Sequence, residues 1–227
     1  MPAGKLVQIT KNRYPGISRR KVKTIKKIAR DVAMTIPEIK HFGFIDENIQ
    51  LIHNKVNYLD NFLKCKQGIQ DPDNPPADGQ LARIGDELYL RSINIKLWLS
   101  NKADRPNCMY RVILFWYDTA ETLNDALCFF TQQNKMLDRP NNENISIIDD
   151  QYIFSRSSYT TTTREHSYLC TVKGKWKKKK ITYDEGGSDP KKRTIGLITV
   201  AYDAFGTLQS DEIASFAYNA SIGIQDP

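Results

Sequence analysis

The sequence has no Asp or Glu in its first 30 residues, yet these residues include ten Lys or Arg. The whole chain of 227 residues carries a formal net charge of only +7, so residues 31–227 sum to −3 (7 minus 10). The positive charge is therefore confined to one end of the chain. A basic end on a mildly acidic body is typical of a protein that binds a polyanion, and nucleic acid favours clustered cations because they release its counterions.

Long apolar runs and paired cysteines are also missing. No stretch approaches 18 apolar residues, and the N-terminus lacks the apolar core of a signal peptide. The four cysteines, Cys65, Cys108, Cys128 and Cys170, form no CxxC pair, which argues against zinc-ribbon and thioredoxin-like sites. We therefore expect a soluble intracellular protein with reduced, structural thiols and no stable membrane insertion.

Motifs for catalysis and metal binding are absent as well. The sequence contains no GxxxxGK[ST] phosphate loop, no GxSxG elbow and no HExxH pair. Its three histidines, His41, His53 and His166, lack metal-ligand spacing, so we expect structural or surface roles for them. Asp149 and Asp150 fall in a predicted loop, where solvated turn residues are the expected interpretation. The sequence thus predicts no enzyme, no cofactor and no metal site.

The basic N-terminal segment divides into two parts, which together form a predicted arm over residues 1–36. Residues 1–17 contain Pro and Gly among the cations and are predicted to be extended or disordered when free. Residues 18–35 carry apolar side chains at spacings of three and four, which predicts an amphipathic helix that Ser18 caps and Pro37 stops. The apolar stripe consists of Val22, Ile25, Ala29 and Val32, with Ile28 beside it.

Nucleic-acid binding is predicted for the cations of this arm, together with one tyrosine that is a candidate for stacking on a base. The set is Lys5, Lys11, Arg13, Tyr14, Arg19, Arg20, Lys21, Lys23, Lys26, Lys27 and Arg30. The run RRKVKTIKK also has the composition of a nuclear import signal, so host import factors are expected partners.

From about residue 38 the sequence favours strands rich in β-branched and aromatic residues. The predicted strands are 40–54, 84–99, 108–118, 126–131, 151–157, 167–183, 194–204 and 212–224. With no convincing helix among them, they indicate an all-β antiparallel sandwich or barrel over residues 37–227. The apolar phase slips near Arg91 and Ser92, which predicts a bulge, and the continuous run at 112–117 predicts a strand buried on both faces.

The strand at 167–183 is predicted to be half buried, with Tyr168, Cys170, Val172 and Trp176 on one face. Its lysines form a candidate second polyanion contact, for nucleic acid or for a cell-surface sulfated glycan. These lysines are Lys173, Lys175, Lys177, Lys178, Lys179 and Lys180, of which the odd-numbered ones are predicted to share the opposite face. The alternative is a strand face that is only solubilising, and Trp176 is predicted to be core rather than a base-stacking platform.

Two segments resemble the capsid proteins of circovirus-like viruses, which have circular, Rep-encoding single-stranded DNA genomes. They are RIGDELYLRSINIKLWL (83–99) and YRVILFWYD (110–118), and the IKHFGF opening (39–44), the basic N-terminus and the body length are similar too. The arm departs from the family's pattern because it mixes Lys with a regular apolar stripe.

The resemblance implies a single eight-stranded jelly roll in two four-stranded sheets. It also implies an icosahedral shell of 60 identical subunits with the N-terminus facing inward. The predicted function is then a capsid protein that self-assembles and packages circular single-stranded DNA, located in the virion and, during assembly, in the host nucleus. Within such a shell, the apolar stripe of the 18–35 helix is predicted to dock on the inner wall or on a neighbouring subunit. The competing role for that helix is membrane disruption during entry.

Two other functions stay open from the residues alone. One is a non-viral nuclear β-sandwich protein that binds nucleic acid as a monomer. The other is a jelly roll that binds sulfated glycans through its lysine face.

Overall fold

The computed structural model describes residues 18–33, 39–68, 81–83, 85–154, 167–204 and 211–225. The chain divides into two compact units, Met1–Glu38 and Ile39–Pro227. Within the described part, the first unit contains one helix, α1 (Arg19–Ala33). No helix of the described residues is long and apolar enough to cross a membrane.

The second unit is built from strands. They are β1 (Lys40–Ile52), β2 (Val56–Leu59), β3 (Cys65–Gln67), β4 (Leu81–Arg83), β5 (Glu87–Asn101), β6 (Cys108–Asp118), β7 (Ser146–Phe154), β8 (Ser167–Thr182), β9 (Arg193–Asp203) and β10 (Glu212–Gln225). A 3-10 turn covers Asn61–Leu63, and a short helix, α2, covers Asp125–Cys128.

Eight of these strands form a two-layer sandwich with the connectivity of a jelly roll. One four-stranded sheet has the order β1-β10-β5-β8 and the other the order β2-β9-β6-β7. All neighbours within these sheets are antiparallel. Along the chain, the first of the eight strands pairs with the last (β1 with β10), the second with the seventh (β2 with β9), the third with the sixth (β5 with β8) and the fourth with the fifth (β6 with β7). The predicted jelly roll is confirmed. The sequence did not indicate β3 and β4, which form a separate parallel pair.

Within the described residues the sandwich has the predicted eight strands, but one of the predicted strands is wrong. Segment 126–131 overlaps α2 instead of forming a strand, because the Asn124 side chain accepts the backbone N–H of Leu127 at 2.9 Å and caps that helix. The strand that completes the eight is β2, which has only four residues and follows a turn in which Asn54 has a φ of 55°. A segment this short has too few residues to establish an alternating pattern.

The bulge predicted near Arg91 is confirmed. The pairing of β5 with β8 shifts register between Leu90 and Ser92, and the pairing of β5 with β10 shifts between Gly223 and Ile224. Arg91 is therefore the residue of β5 that both neighbours skip, and the inward side chains change from even to odd positions across it.

The central strand β6 is buried on both faces, as the run at 112–117 predicted. Val112, Leu114 and Trp116 pack into the main core between the sheets. Ile113 and Phe115 pack into a second core on the other side of the β2-β9-β6-β7 sheet, with Phe129 and other residues of the segment that follows β6. The segment at 119–145 thus covers the outer face of this sheet, whereas no comparable core covers the outer face of the other sheet within the described residues.

Arg111 fastens the covering segment to the sheet. Its side chain is 2% exposed and holds the Asp150 carboxylate with two hydrogen bonds, of 3.1 and 2.8 Å. Its Nη1 donates to the carbonyls of Lys135, Met136 and Asp138, the last at 2.6 Å. Asp150 is therefore an ion-pair partner within β7, and the prediction that it is a solvated loop residue is wrong.

A second buried arginine holds the loop between β8 and β9. The fully buried Arg83 donates to the carbonyls of Asp184 at 2.9 Å and Gly187 at 2.7 Å, and its guanidinium lies 4.5 Å from the centre of the Tyr183 ring. Within the turn, the Asp184 carbonyl also accepts the backbone N–H of Gly187 at 3.0 Å, so Arg83 is a second donor to that carbonyl. The bonds from Arg83 fix the chain that leads into β9.

His53, just after β1, makes the stability of the folded chain depend on pH. Its Nδ1 accepts the backbone N–H of Asp203 at 3.2 Å, and its ring lies 4.6 Å from that of Tyr202. Burial lowers the pKa of His53 below its ordinary value of 6.5; the Asp203 charge opposes this shift and the Arg105 charge adds to it. Because the unfolded chain binds the proton more readily, the stabilising contribution of neutral His53 is complete above pH 6.5 and is lost as the pH falls below it.

Urea unfolding at about pH 7.5 and about pH 5.5 tests this dependence. We expect the native chain to lose more stability between the two values than the His53→Gln variant, which keeps a hydrogen-bond acceptor but cannot be protonated. His41→Gln is the control because His41 is exposed. Equal losses for the native chain and His53→Gln would contradict the assignment.

Candidate polyanion-binding surfaces

The helix α1 presents its cations to solvent. Ser18 caps it, as predicted, because its Oγ accepts the backbone N–H of Lys21 at 3.3 Å and its carbonyl accepts that of Val22 at 3.0 Å. The described basic side chains of the helix are exposed, namely Arg20, Lys21, Lys23, Lys26 and Lys27. Arg19 and Arg30 lie in the helix, but their side chains are outside the described residues, as are Lys5, Lys11, Arg13 and Tyr14.

The apolar stripe of α1 is also exposed. Ile25, Ile28 and Val32 are 52%, 56% and 50% exposed, and Val22 is half buried. The amphipathic helix that the spacing predicted is confirmed over Arg19–Ala33. Docking of this stripe on a shell wall or a neighbouring subunit stays a prediction, as does its competing membrane role.

The lysines of β8 are divided by a shift in register. Lys173 and Lys175 are exposed on the outer face of the β1-β10-β5-β8 sheet, opposite Asn94 and Ser92 of β5. Lys177 is exposed as well, and only the backbone of Lys178 is described. Tyr168, Cys170, Val172 and Trp176 pack against the main core, as predicted.

The predicted placement of Lys179 beside these exposed lysines is wrong. Between Lys175 and Lys179, β8 has three intervening residues where β5 has only Arg91, so the inward positions of β8 change from even to odd. The Lys179 ammonium consequently lies 4.9 Å from the centre of the buried Trp116 ring. Lys180 takes the next outward position and forms an ion pair of 2.5 Å with Glu87.

The uncovered sheet face combines cations with large apolar side chains. Lys96 lies on the same face as Lys173 and is exposed, while Trp98 and Leu169 are cross-strand partners that are 60% and 74% exposed. Apolar side chains adjoining on a surface in this way are typical of interaction sites. The sequence placed Trp98 in a strand but did not indicate that this face would stay uncovered.

Reactive groups are not concentrated on these surfaces. No group of three or more His, Cys, Asp or Glu within the described residues could hold a metal ion. All four cysteines are buried and none forms a disulfide, and burial raises the pKa of Cys108 and Cys128 to about 12 and that of Cys170 to about 11. Thiols with such raised pKa values are unreactive at neutral pH.

Comparisons with known proteins find matches among solved structures but none by sequence. No family model matches the sequence, and no curated protein matches it. Among solved structures, a chain of the T13 IBDV viral particle is similar to this chain with a TM-score of 0.28 and 8% sequence identity. The match covers 84% of this chain and 32% of that chain, so this protein spans about a third of the length of the chain it matches. At this distance the likeness does not support a function, and the class of the fold, an eight-stranded jelly roll, follows from its strand order.

Proposed function

We propose that this protein is a viral capsid subunit, 60 copies of which form a small icosahedral shell around circular single-stranded DNA. The observation that carries the proposal is that one chain combines a jelly roll with an N-terminal segment of 30 residues that has ten cations and no acid. Viral capsids are among the main uses of the jelly roll, and a dense cationic segment suits phosphate neutralisation. The body would build the shell, and no catalysis is part of this function.

Self-assembly would use the apolar side chains that the single chain leaves exposed. Besides Trp98 and Leu169 on the uncovered sheet face, Leu137 in the covering segment is 78% exposed and Phe154 at the end of β7 is 60% exposed. Aromatic and large apolar side chains are enriched at the centres of subunit interfaces. Their position on opposite faces of the sandwich supports contacts with several neighbours at once.

Packaging would use the arm. Sixty copies of ten cations amount to roughly 600 positive charges, which is enough to neutralise a substantial part of a small genome. Contacts of Lys and Arg with phosphates carry no base preference, so the packaging we propose is independent of sequence. The same basic run is proposed to direct the chain to the host nucleus, where assembly would precede release of the virion.

Expression followed by negative-stain microscopy and size-exclusion chromatography tests the assembly. We expect closed shells of about 20 nm, the size that 60 domains of this length would give. A chain that stays monomeric at every salt concentration and protein concentration tested would overturn the capsid proposal. That outcome would favour a monomeric nuclear protein that binds nucleic acid.

Sulfated-glycan binding is the second candidate function, favoured by the exposed Lys173 and Lys175 and by the occurrence of jelly rolls among lectins. A glycan array would distinguish it: binding of sulfated but not neutral sugars by a monomeric chain supports this candidate over the capsid.

A further inference from the structure

A basic cleft of about 170 Å³ lies where the end of β8 meets the start of β9. Its walls come from both sheets: Trp116 belongs to β6, Lys179 and Lys180 belong to β8, and Arg193 opens β9 directly after Lys192. No Asp or Glu is among the described residues that line it. Four cations thus line the cavity, and the part of its wall that the structure describes contains no acid.

Ion pairing leaves two of the lysines in the cleft available to a ligand. The Lys180 ammonium pairs with Glu87 at 2.5 Å. Lys179 and Lys192 have no ion pair with a carboxylate of the described residues, in contrast to the adjacent Lys191, which pairs with Asp184 at 2.8 Å. The cleft therefore holds positive charge that the carboxylates of the described residues do not neutralise.

Arg193 adds a guanidinium that the protein holds in place from one side. Its Nη2 donates to the carbonyl of Trp116 at 3.1 Å and to the Oγ of Ser146 at 2.9 Å. Its Nε and Nη1 hydrogens have no acceptor within the described residues. Asp118, opposite Arg193 in register, is not part of the cleft wall, and its Oδ1 accepts the backbone N–H of Ala120 at 2.9 Å. A guanidinium fixed in this way is pre-organised for a tetrahedral oxyanion.

The aromatic wall of the cleft is not open to a flat ring. Trp116 is only 6% exposed, because the Lys179 ammonium covers its face and Trp176 contacts it edge-on with ring centres 5.6 Å apart. A sugar ring or a base therefore has no free aromatic face on which to stack. The cleft fits a small charged group rather than a ring.

We propose that this cleft binds one phosphate group of the packaged single-stranded DNA through Lys179, Lys192 and Arg193. The inference rests on the proposed packaging function, and it adds a fixed phosphate site on the jelly roll to the contacts of the arm. Lys179 and Arg193 are only partly exposed, so their charges are less screened by salt than those of the exposed Lys173 and Lys175. The phosphate is favoured over a glycan sulfate because the ring-binding surface expected for a sugar is blocked.

The test uses the full-length chain and a fluorescein-labelled oligothymidylate of about twelve residues, with binding followed by anisotropy at several salt concentrations. We expect the Lys179→Gln/Lys192→Gln variant to bind roughly tenfold more weakly at low salt, with a salt slope reduced by about 1.4 for two lost contacts. Lys64→Gln/Lys191→Gln is the control, because it removes the same charge from lysines that pair with Asp189 and Asp184. It should change affinity less than twofold.

The outcomes separate this inference from the proposed function. If the Lys179→Gln/Lys192→Gln variant binds oligothymidylate as tightly as the native chain does, the cleft site alone is overturned. Equal weakening in the control pair would also overturn it, because the effect would then reflect net charge only. If the variant lost affinity for a sulfated oligosaccharide and kept it for oligothymidylate, the ligand would be a glycan. A native chain that binds no oligothymidylate would overturn both proposals.

Discussion

Replacing Arg111 by methionine is expected to lower the free energy of unfolding by about 3–5 kcal/mol, the usual cost of removing one partner of a buried ion pair. The substitution leaves the Asp150 carboxylate and three carbonyl acceptors without their donor. For a chain of this length the melting temperature should fall by roughly 10 °C. Thermal and urea unfolding followed by circular dichroism measure both quantities.

Arg139→Met is the matched control for this substitution. Arg139 lies in the same covering segment but is exposed, and its guanidinium lies over the Phe130 ring at 4.1 Å. We expect its loss to cost no more than about 1 kcal/mol. Hydrogen exchange should show faster opening of residues 130–139 in Arg111→Met only. A change below 1 kcal/mol in Arg111→Met would mean that the segment is held by its apolar contacts alone.

Deleting residues 1–36 is expected to remove nearly all nucleic acid that co-purifies with the protein, while the β-rich circular dichroism spectrum stays unchanged. The reason is that the deletion removes ten cations at once, and for single strands each phosphate contact contributes about 0.7 to the slope of log affinity against log salt. The native chain should therefore show a slope of up to about 7 in magnitude. The ratio of absorbance at 260 and 280 nm, together with nuclease protection, gives the readout.

A charge variant of unchanged length is the control for the deletion. Replacing the ten cations by glutamine keeps helix propensity in α1 and keeps its apolar stripe, so only the charge is lost. If the arm acts through phosphate neutralisation, this variant should lose nucleic acid as completely as the deletion does. If the deletion fails to assemble and the glutamine variant forms empty shells, the apolar stripe of α1 is needed for assembly. Particles that keep their nucleic acid after the deletion would contradict the proposed role of the arm.

Sequence periodicity predicted the features that depend on one strand at a time. The slip of phase at Arg91 predicted the bulge, because a one-residue shift must exchange the two faces of a strand. The unbroken apolar run of 112–117 predicted burial on both faces, which the two cores on either side of β6 confirm. Both signals are local, since they need no knowledge of the neighbouring strands.

Features that depend on a neighbouring strand were not predictable in the same way. Lys179 faces Trp116 because β8 contains more residues than β5 opposite the bulge, and that difference is a property of the pair. The basic cleft joins Lys179 to Arg193, which come from different sheets. The replacement of the predicted strand 126–131 by α2 is different, because the Asn124 cap on Leu127 is a contact between residues only three positions apart.

The sequence by itself determined the charge asymmetry, the amphipathic α1 and an all-β body, because each follows from composition or from the period of apolar residues along one segment. The tertiary structure decided which sheet face is covered, where Lys179 lies and how Arg111 and Arg83 are buried. These features depend on the register of paired strands and on loops that fold back from distant positions. Register and loop placement are settled by packing against partners that the chain meets only when it folds.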